Sequence, residues 1–285
     1  MIVLQRVKVV TDSTSDLTQE LLAQYDIRMV PLYVRFGEEV YADGVEINNR
    51  QLFQKVAQTG IMPQTAAPTP EDFLSVFKEI IEAGSDVICI CLSSHLSATV
   101  QSAMIAAGEL PPGRVEVIDG LNLSSATGML AIYAAELAQQ GLPLSEIVPL
   151  VKARVPKLST QFVVDTMEYL YKGGRCSGLQ SLMAGVLKIH PMLTMSEGKI
   201  VVKEKIRGGG KKIVDRLVEC IVTDKDKVDR QFIAVTGAAC PEMVEAIVQR
   251  VQQEFPGARV FVTEAGSVIS SHCGPGTVGI LYMLQ

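Results

Sequence analysis

The sequence lacks the residues that most metal and redox sites need. It has only three histidines, and none of its six cysteines forms a Cys-x-x-Cys pair. Zinc sites are built from closely spaced cysteine and histidine ligands, so no metal centre is expected. The chain also shows no signal-peptide layout, which argues against a disulfide framework. Cys89 and Cys91 fall on one face of a predicted strand and are interpreted as core residues.

An excess of positive charge and long apolar runs are also absent. The net charge is −5 and the isoelectric point is about 5.4, so no basic face and no nucleic-acid partner are expected. The apolar stretches are far shorter than the roughly 18–20 residues that span a bilayer. These absences predict a soluble protein located in the cytoplasm.

The common nucleotide-binding and hydrolase motifs are missing as well. Residues 274–279 match G-x-G-x-x-G, but no helix follows that could receive a pyrophosphate, and no acidic residue lies about 20 positions on. The stretch 208–212 resembles a P-loop only in its glycines and lysines. No G-x-S-x-G occurs, so an α/β-hydrolase nucleophile elbow is not expected.

The distribution of hydrophobic residues predicts an α/β protein with two domains. Strands alternate with helices through the first half, which is typical of βαβ units around a parallel sheet. The pattern changes after Pro156, where two strands joined at Glu197-Gly198 predict an antiparallel pair. We therefore expect an N-terminal parallel-sheet domain over 1–157 and a C-terminal α+β mixed-sheet domain over 158–285.

Three local predictions bear on the site. A hairpin is expected from strands 28–36 and 39–42 around Gly37. Residues 63–70, with three prolines, are expected to form a loop. The chain is expected to close with a glycine-rich loop and a last strand over 278–283.

Hydroxyl residues follow the predicted strand 86–92 and precede a predicted helix over 97–110. Free N–H groups and the positive end of the dipole make a helix N-terminus a favourable place for an anion. Ser97 is therefore a candidate donor to a carboxylate or phosphate. The alternative is that Ser97 only caps the helix.

Three further segments are candidates. Residues 12–16 follow the first strand and either cap a helix or face a ligand at the sheet edge. In the loop 63–70, helix capping explains Thr69 but leaves Thr65 unexplained. Arg175 lies in a Gly-Gly-Arg turn, where its guanidinium either is solvated or closes an anion site.

Taken in order, these segments resemble the DegV family of bacterial fatty-acid-binding proteins. The matching pieces are Val10–Asp16, Asp43-Gly44, Gln64-Thr65 with Pro68 and Pro70, Ser93–Thr99, Gln101–Ala103, Val117–Asp119, Glu168–Arg175, Lys188–Thr194, Gly198-Lys199 and His272–Gly276. The resemblance implies a lipid-binding protein, not an enzyme, that holds one long-chain fatty acid (C14–C18) between its domains and uses no cofactor.

By motif, Thr65 and Ser97 match the family's carboxylate-binding residues, and Arg175 and His272 match polar residues nearby. Four additional candidates for ligand contact are Asp12, Ser13, Ser94 and Gly274. The chain departs from the family at Thr65-Ala-Ala-Pro68, where Thr-Ser-Gln-Pro is usual, and at Ser97-Ala-Thr-Val100, where Ser-Gly-Thr-Tyr is usual. One hydroxyl donor is thereby absent, which bears on the head-group hydrogen bonds and on a kinase partnership.

The resemblance also implies partners. Some members are similar to FakB, which presents a bound fatty acid to the kinase FakA for acyl-phosphate formation in lipid metabolism. A FakA-like fatty-acid kinase and peripheral membrane contact for lipid exchange are therefore expected partners, and the default oligomeric state is a monomer. The apolar residues expected to line the tunnel are Met167, Leu170, Leu182, Met183, Val186, Leu187, Met192 and Ile280.

Two other functions remain open at this point. The same anion site would suit an enzyme that acts on a small carboxylated or phosphorylated metabolite, with Asp12 as base and Arg175 stabilising charge. A cysteine-dependent enzyme built on Cys273 is the other alternative.

Overall fold

A computed structural model describes residues 6–175 and 189–285. The strands of the first half are β1 (Val7–Asp12), β2 (Ile27–Val30), β3 (Tyr33–Phe36), β4 (Glu39–Ala42), β5 (Gln64–Ala66), β6 (Asp86–Cys91) and β7 (Val115–Asp119). Its helices are α1 (Gln19–Tyr25), α2 (Asn49–Thr59), α3 (Pro70–Glu82), α4 (Thr99–Gly108), α5 (Ser125–Gln139) and α6 (Leu144–Arg154).

The second half follows a short 3₁₀ turn at Val155–Lys157. Its strands are β8 (Leu158–Val163), β9 (Ile189–Ser196), β10 (Lys199–Arg207), β11 (Val228–Gly237), β12 (Val260–Glu264) and β13 (Val278–Leu284). Its helices are α7 (Glu168–Lys172), α8 (Gly210–Thr223), α9 (Pro241–Glu254) and α10 (Ser267–Cys273).

A four-stranded parallel sheet, ordered β2-β1-β6-β7, forms the centre of the first half. Successive side chains of a strand point to opposite faces. Val9 and Ile88 pack on the side of α5 and α6, whereas Val10 and Cys89 pack on the side of α3 and α4. Cys91 shares the face of Cys89, and both thiols are fully buried in the core, as predicted.

A six-stranded mixed sheet, ordered β10-β9-β8-β13-β11-β12, forms the second half. Only the β11–β12 pair is parallel within it. One face is covered by α8 and α9, and the other packs on α5 through Phe232, Leu281 and Met283. Helix α5 thus lies between the two large sheets, and the predicted α/β class with a parallel and a mixed sheet is confirmed.

A third, small sheet has the order β4-β3-β5 and corrects two predictions. The expected strand 28–36 is two strands in different sheets, because Pro31 lacks the N–H that a continuous ladder needs. The expected loop 63–70 contains β5, which pairs with β3. Short edge strands of three residues carry too little alternation to be read from sequence.

The expected glycine-rich loop before the last strand contains α10, so that prediction is also wrong. Most of this seven-residue helix is buried, yet it is rich in serine. Its serines, Ser267, Ser270 and Ser271, donate to backbone carbonyls of Ile47, Ala265 and Ser267. With polar residues satisfied in the interior, the helix lacks the apolar periodicity from which helices are predicted.

The two halves also meet at the β9–β10 turn. Ser93 Oγ, in the loop after β6, donates to the carbonyl of Gly198 at 2.7 Å. Gly198 has a positive φ of 77°, and a Cβ there would lie 2.6 Å from both Ser93 Oγ and His95 Cδ2. Only glycine allows this close approach, because both the conformation and the space exclude a side chain.

The predicted boundary between 157 and 158 falls between the 3₁₀ turn and β8. The boundary stays a prediction. Helix α10 belongs to the second half by sequence but packs on β3 and α2 of the first half. Within the two described ranges, no helix has the length and apolar character needed to cross a membrane.

The packing of α5 predicts opposite effects for two glycine-to-alanine changes. A Cβ on Gly128 in α5 would lie 2.6 Å from the Ser15 carbonyl oxygen and 2.8 Å from Leu17 Cδ2, whereas Gly108 in α4 has no neighbour within 4 Å. We expect Gly128→Ala to destabilise the fold by about 1–3 kcal/mol through overpacking. Gly108→Ala should stabilise it by up to about 1 kcal/mol through helix propensity.

Urea unfolding followed by circular dichroism measures both changes. Because the chemical change is the same, Gly108→Ala is the matched control. A Gly128→Ala protein as stable as the wild type would show that α5 does not pack this tightly against the segment after β1.

Candidate functional site

A cavity with four polar side chains in a largely apolar lining, called the polar cavity below, lies where α10 of the second half meets loops of the first half. All four main residues predicted from sequence line it, namely Thr65, Ser97, Arg175 and His272. The rest of its lining is mostly apolar and comprises Leu32, Ala66, Ala67, Leu92, Leu96, Leu123, Ile200, Val268 and Ile269. The four residues therefore line one cavity, although they are spread over more than 200 positions, and their contact with a ligand stays a prediction.

Strand β5 sets the position of Thr65. Thr65 stands opposite Val34 of β3 in an antiparallel pair, so the two side chains point to the same face. Val34 is fully buried in the cluster that includes Val268 of α10. The pairing therefore directs Thr65 toward α10 and its His272.

Ser97 lies before α4, which begins at Thr99 rather than at Ser97 as predicted. Its Oγ is 2.8 Å from Thr99 Oγ1 and accepts a long hydrogen bond of 3.4 Å from the Thr99 N–H. Ala98 occupies the N-cap position of the helix. Ser97 is thus not the cap residue, and it lines the cavity.

Thr65 and His272 are in direct contact, with Oγ1 and Nε2 2.8 Å apart. Burial, and then the positive charge of Arg175, lower the pKa of His272 to about 3. The imidazole is therefore neutral near pH 7, with one nitrogen as donor and the other as acceptor. Its Nδ1 is buried and has no hydrogen-bond partner among the described residues.

Gly173 leaves the space that His272 occupies. A Cβ on Gly173 would lie 2.2 Å from His272 Nδ1, although the φ of Gly173 is an ordinary −73°. The requirement for glycine here is one of close approach rather than of backbone conformation. The Gly-Gly-Arg turn thus accommodates the imidazole as well as presenting the arginine.

Arg175 joins the end of α7 to the loop before α4. Its Nη1 donates to the Gly173 carbonyl at 2.7 Å and its Nε to the Leu96 carbonyl at 3.2 Å. A guanidinium has five N–H donors, so these two contacts leave up to three for other partners. A fixed positive charge at the wall of a largely apolar cavity favours an anion.

An apolar cavity adjoins the polar one and shares Leu123, Ile200, Ile269 and His272 with it. The remaining lining is Ser124, Thr160, Phe162, Leu170, Thr236, Gly237, Ala238, Ala265, Cys273, Thr277, Gly279 and Leu281. The two cavities enclose about 60 Å³ and 50 Å³. Because that is room for only a few atoms, a longer ligand has to displace side chains or extend past them.

The predicted tunnel-lining residues fall into three groups. Leu170 lines the apolar cavity, and Met167 packs in the same apolar cluster. The prediction is wrong for Met192 and Ile280, which pack on the side of α8 and α9. Strand alternation explains this error, because Leu281 rather than its neighbour faces the cavity. The other four, Leu182, Met183, Val186 and Leu187, lie outside the described residues.

The four additional candidates line neither cavity. Asp12 accepts the N–H groups of Thr14 and Leu92, both at 2.9 Å, and burial raises its pKa to about 6. Ser13 donates to Asp43, and exposed Ser94 directs its N–H to Asp119. A Cβ on Gly274, which has a φ of 76°, would lie 2.7 Å from the Tyr169 ring. The structure thus gives each of the four an architectural contact.

Sequence reasoning missed the apolar residues that join the two cavities. Ile269 lies on the unpredicted α10. Leu123 lies in a loop in which Leu121 and Ser124 both have positive φ. A Gly-Ser-Val-Ile start, with small residues before two apolar ones, is the only local signal for α10. Without the fold, nothing indicates that it closes a cavity.

Cys273 also lines the apolar cavity, but its chemistry does not suit catalysis. Burial raises the pKa of the thiol to about 12, so the thiolate that a nucleophilic cysteine needs is scarce at neutral pH. In the described part of the chain, no group of histidine, cysteine, aspartate and glutamate side chains is arranged to hold a metal ion.

Comparisons with known proteins give the same family over the whole chain. The family model described as "Uncharacterised protein, DegV family" matches residues 6–285. A DegV domain-containing protein of Caldanaerobacter subterraneus is 33% identical over 280 residues, 98% of this chain and 99% of the relative. The resemblance predicted from the sequence motifs is therefore confirmed.

Two solved structures are also similar. A DegV family protein from Thermus thermophilus, described by its fatty-acid binding, has a TM-score of 0.91 at 35% identity and covers 99% of this chain and 100% of its own. DegV from Bacillus subtilis, described as a fatty acid binding protein, has a TM-score of 0.87 at 30% identity with the same coverage.

The burial of His272 predicts that its ring does not titrate in the usual range. Its signal in a two-dimensional NMR spectrum should stay constant from about pH 8 to pH 5, because the folded-state pKa is far below the ordinary value near 6.5. The unfolded chain binds a proton in that interval and the folded chain does not. The His272 contribution to stability therefore falls as pH drops below about 6.5.

The ring signal that is absent from the spectrum of the His272→Asn variant is assigned to His272. The stability difference between wild type and this variant, measured by urea unfolding across pH, isolates the histidine from the buried aspartates, whose raised pKa values act in the opposite direction. A ring titration with a midpoint near 6.5 would contradict the prediction.

Proposed function

The chain belongs to the DegV family, and we propose that it binds one long-chain fatty acid, with the carboxylate in the polar cavity and the acyl chain along the apolar one. The observation that carries the proposal is the arrangement of the site. Thr65, Ser97, Arg175 and His272 line a cavity that continues through shared residues into an apolar chamber. A ligand with one anionic end and a long apolar body matches that arrangement.

The head group fits the polar cavity on electrostatic grounds. An unpaired buried carboxylate costs several kcal/mol or takes up a proton. The hydroxyls of Thr65 and Ser97 each supply one donor, and Arg175 supplies a positive charge on a rigid fork. Neutral His272 adds one N–H or orients the Thr65 hydroxyl, to which it is already hydrogen-bonded. These groups keep the carboxylate ionised.

The acyl chain fits the apolar cavity on hydrophobic grounds. Burying a methylene group contributes roughly 0.8 kcal/mol, so about fifteen of them gross about 12 kcal/mol before the costs of association. A C14–C18 acid provides that length and would widen the two small cavities as it enters. A small polar metabolite gains nothing from walls such as Phe162, Leu170 and Leu281, which disfavours the alternative of a metabolite enzyme.

We propose further that the protein is a non-catalytic carrier in the cytoplasm, which presents the acid to a FakA-like kinase and exchanges lipid by peripheral membrane contact. A binding role is supported because the polar groups suit an anion and because Cys273, the thiol that lines a cavity among the described residues, is kept protonated. In this scheme the carboxylate oxygen attacks the γ-phosphoryl group of ATP on the kinase, which yields acyl phosphate and ADP.

The binding proposal predicts that denatured purified protein releases a C14–C18 fatty acid at close to one molecule per chain. Mass spectrometry of the extract measures its identity and amount. We expect Thr65→Val and Ser97→Ala each to weaken rebinding by about 10- to 100-fold, since each removes a hydrogen bond to a charged group. Titration of delipidated protein with palmitate measures the affinity.

Thr223→Val is the matched control for Thr65→Val. Thr223 is an exposed threonine at the end of α8, where its hydroxyl bonds only to the Glu219 carbonyl. The control should bind palmitate as the wild type does. An extract without fatty acid, together with no uptake of palmitate on titration, would reject the proposal. It would favour the alternative of an enzyme that acts on a small polar metabolite.

The carrier role predicts that acyl phosphate forms faster when the fatty acid is supplied on this protein than when it is supplied free. A FakA-like kinase with ATP and radiolabelled palmitate, with and without the protein, measures the difference. Thr65→Val should reduce the stimulation in step with its lower occupancy. Equal rates with and without the protein would reject the carrier role and leave the binding proposal intact.

A further inference from the structure

Two buried carboxylates of the first half hold the beginning of α10. Asp16 Oδ1 accepts the N–H of Gly266 at 2.8 Å, and Asp43 Oδ1 accepts the N–H of Ser267 at 2.7 Å. Both aspartates are more than nine-tenths buried. Neither contacts a described basic side chain, so their oxygens are satisfied by hydroxyl and backbone donors alone.

The second oxygen of each carboxylate is linked to a cavity wall through a serine hydroxyl. Asp43 Oδ2 accepts the Ser13 hydroxyl at 2.8 Å, and Ser13 Oγ in turn accepts the N–H of Leu32 at 3.0 Å. Leu32 lines the polar cavity. Asp16 Oδ2 accepts the hydroxyl of Ser124, which lines the apolar cavity. The two carboxylates are therefore hydrogen-bonded to the start of α10 and, through Ser13 and Ser124, linked to residues that line the two cavities.

Helix α10 transmits this anchoring to the site. It has only seven residues, and it carries Ile269 and His272 on the side that faces the cavities. A helix is rigid over two turns, so a shift of its first turn moves its last turn by a similar amount. The Thr65–His272 contact at 2.8 Å tolerates only a few tenths of an ångström before it weakens.

Gly266 shows how closely the anchor fits. A Cβ there would lie 3.2 Å from Asp16 Oδ1 and 3.3 Å from Asp43 Oδ2. The carboxylates of Asp16 and Asp43, which come from separate loops of the first half, thus both lie close to the backbone at the start of α10. Asn49 adds a third anchor at the same point through its Nδ2, which donates to the Ala265 carbonyl at 3.1 Å.

We infer that Asp16 and Asp43 are positioning residues for ligand binding, which fix α10 so that His272 meets Thr65 at the head-group end of the site. The predicted effect on affinity rests on the proposed function. The predicted effect on the position of the His272 ring does not. This positioning role differs from simple stabilisation of a helix N-terminus by negative charge, which would act on stability and leave affinity unchanged.

A double-mutant cycle tests the inference, because a residue that acts through His272 loses its effect when His272 is replaced. We expect Asp43→Ala to weaken palmitate binding by about tenfold, because displacement of His272 from Thr65 costs about one hydrogen bond to the charged head group. In the His272→Asn background the same change should weaken binding less than about twofold. Asp43→Asn keeps one acceptor oxygen for Ser267 and should recover much of the loss.

Asp86→Ala is the matched control. Asp86 is also a buried aspartate, but it pairs with Arg114 at the opposite end of the parallel sheet from the site. It should lower the free energy of unfolding without changing palmitate affinity in either background. Equal losses of affinity for Asp43→Ala in both backgrounds, or no loss in the first, would overturn the inference.

The NMR signal of the His272 ring separates this inference from the proposed function. Asp43→Ala should shift that signal and Asp86→Ala should not, whether or not a lipid binds. If wild-type protein takes up no palmitate, the proposed function fails while the ring signal still decides the positioning role. An unshifted signal in Asp43→Ala would overturn that role.

Discussion

Helix α5 is the constraint on which the rest of the structure depends, because it is buried on both sides between two sheets. Met129, Leu130 and Ile132 are almost completely inaccessible, and their cluster takes strands from both halves of the chain. A helix in that position needs apolar residues all round and no bulk at Gly128. Its N-terminal end, at Leu123 and Ser124, is where the two cavities lie. The core that joins the halves thus also sets the distance across the site.

Polar satisfaction provides the second layer of order around the cavities. Asp12, Asp16 and Asp43 are buried in one region, and burial raises the pKa of each. Hydroxyl and backbone donors offset that cost, and most of them come from different segments of the chain. Such a network has few alternative arrangements. It therefore specifies one relative position of the β1 loop, the β4 loop and α10, which apolar contacts alone would fix less sharply.

The sequence predicted the fold class, which is confirmed, and four polar residues that line one cavity, but not the contacts between them. Alternating strands and helices are a strong periodic signal, and the four polar residues matched an ordered set of motifs. Strand β5 and helix α10 gave no such signal, since one has three residues and the other is rich in buried serine. The wrong side assigned to Ile280 shows the cost of a one-residue error in a strand. The carboxylate anchors were not predicted, because both interpretations of residues 12–16, helix capping and ligand contact, leave out the distant α10.

The contact between Gly198 and Ser93 has a consequence for the integrity of the molecule. It joins a turn of the second half to a loop of the first beside the polar cavity, whose walls run from Leu32 to His272. Neither half alone contains a complete wall, so a chain cut between them has no enclosed site unless the halves stay associated. A ligand held in the cavity would therefore indicate that both halves of the polypeptide are folded and associated. A copy whose halves have separated, or in which one half is unfolded, would have no enclosed cavity to hold a ligand.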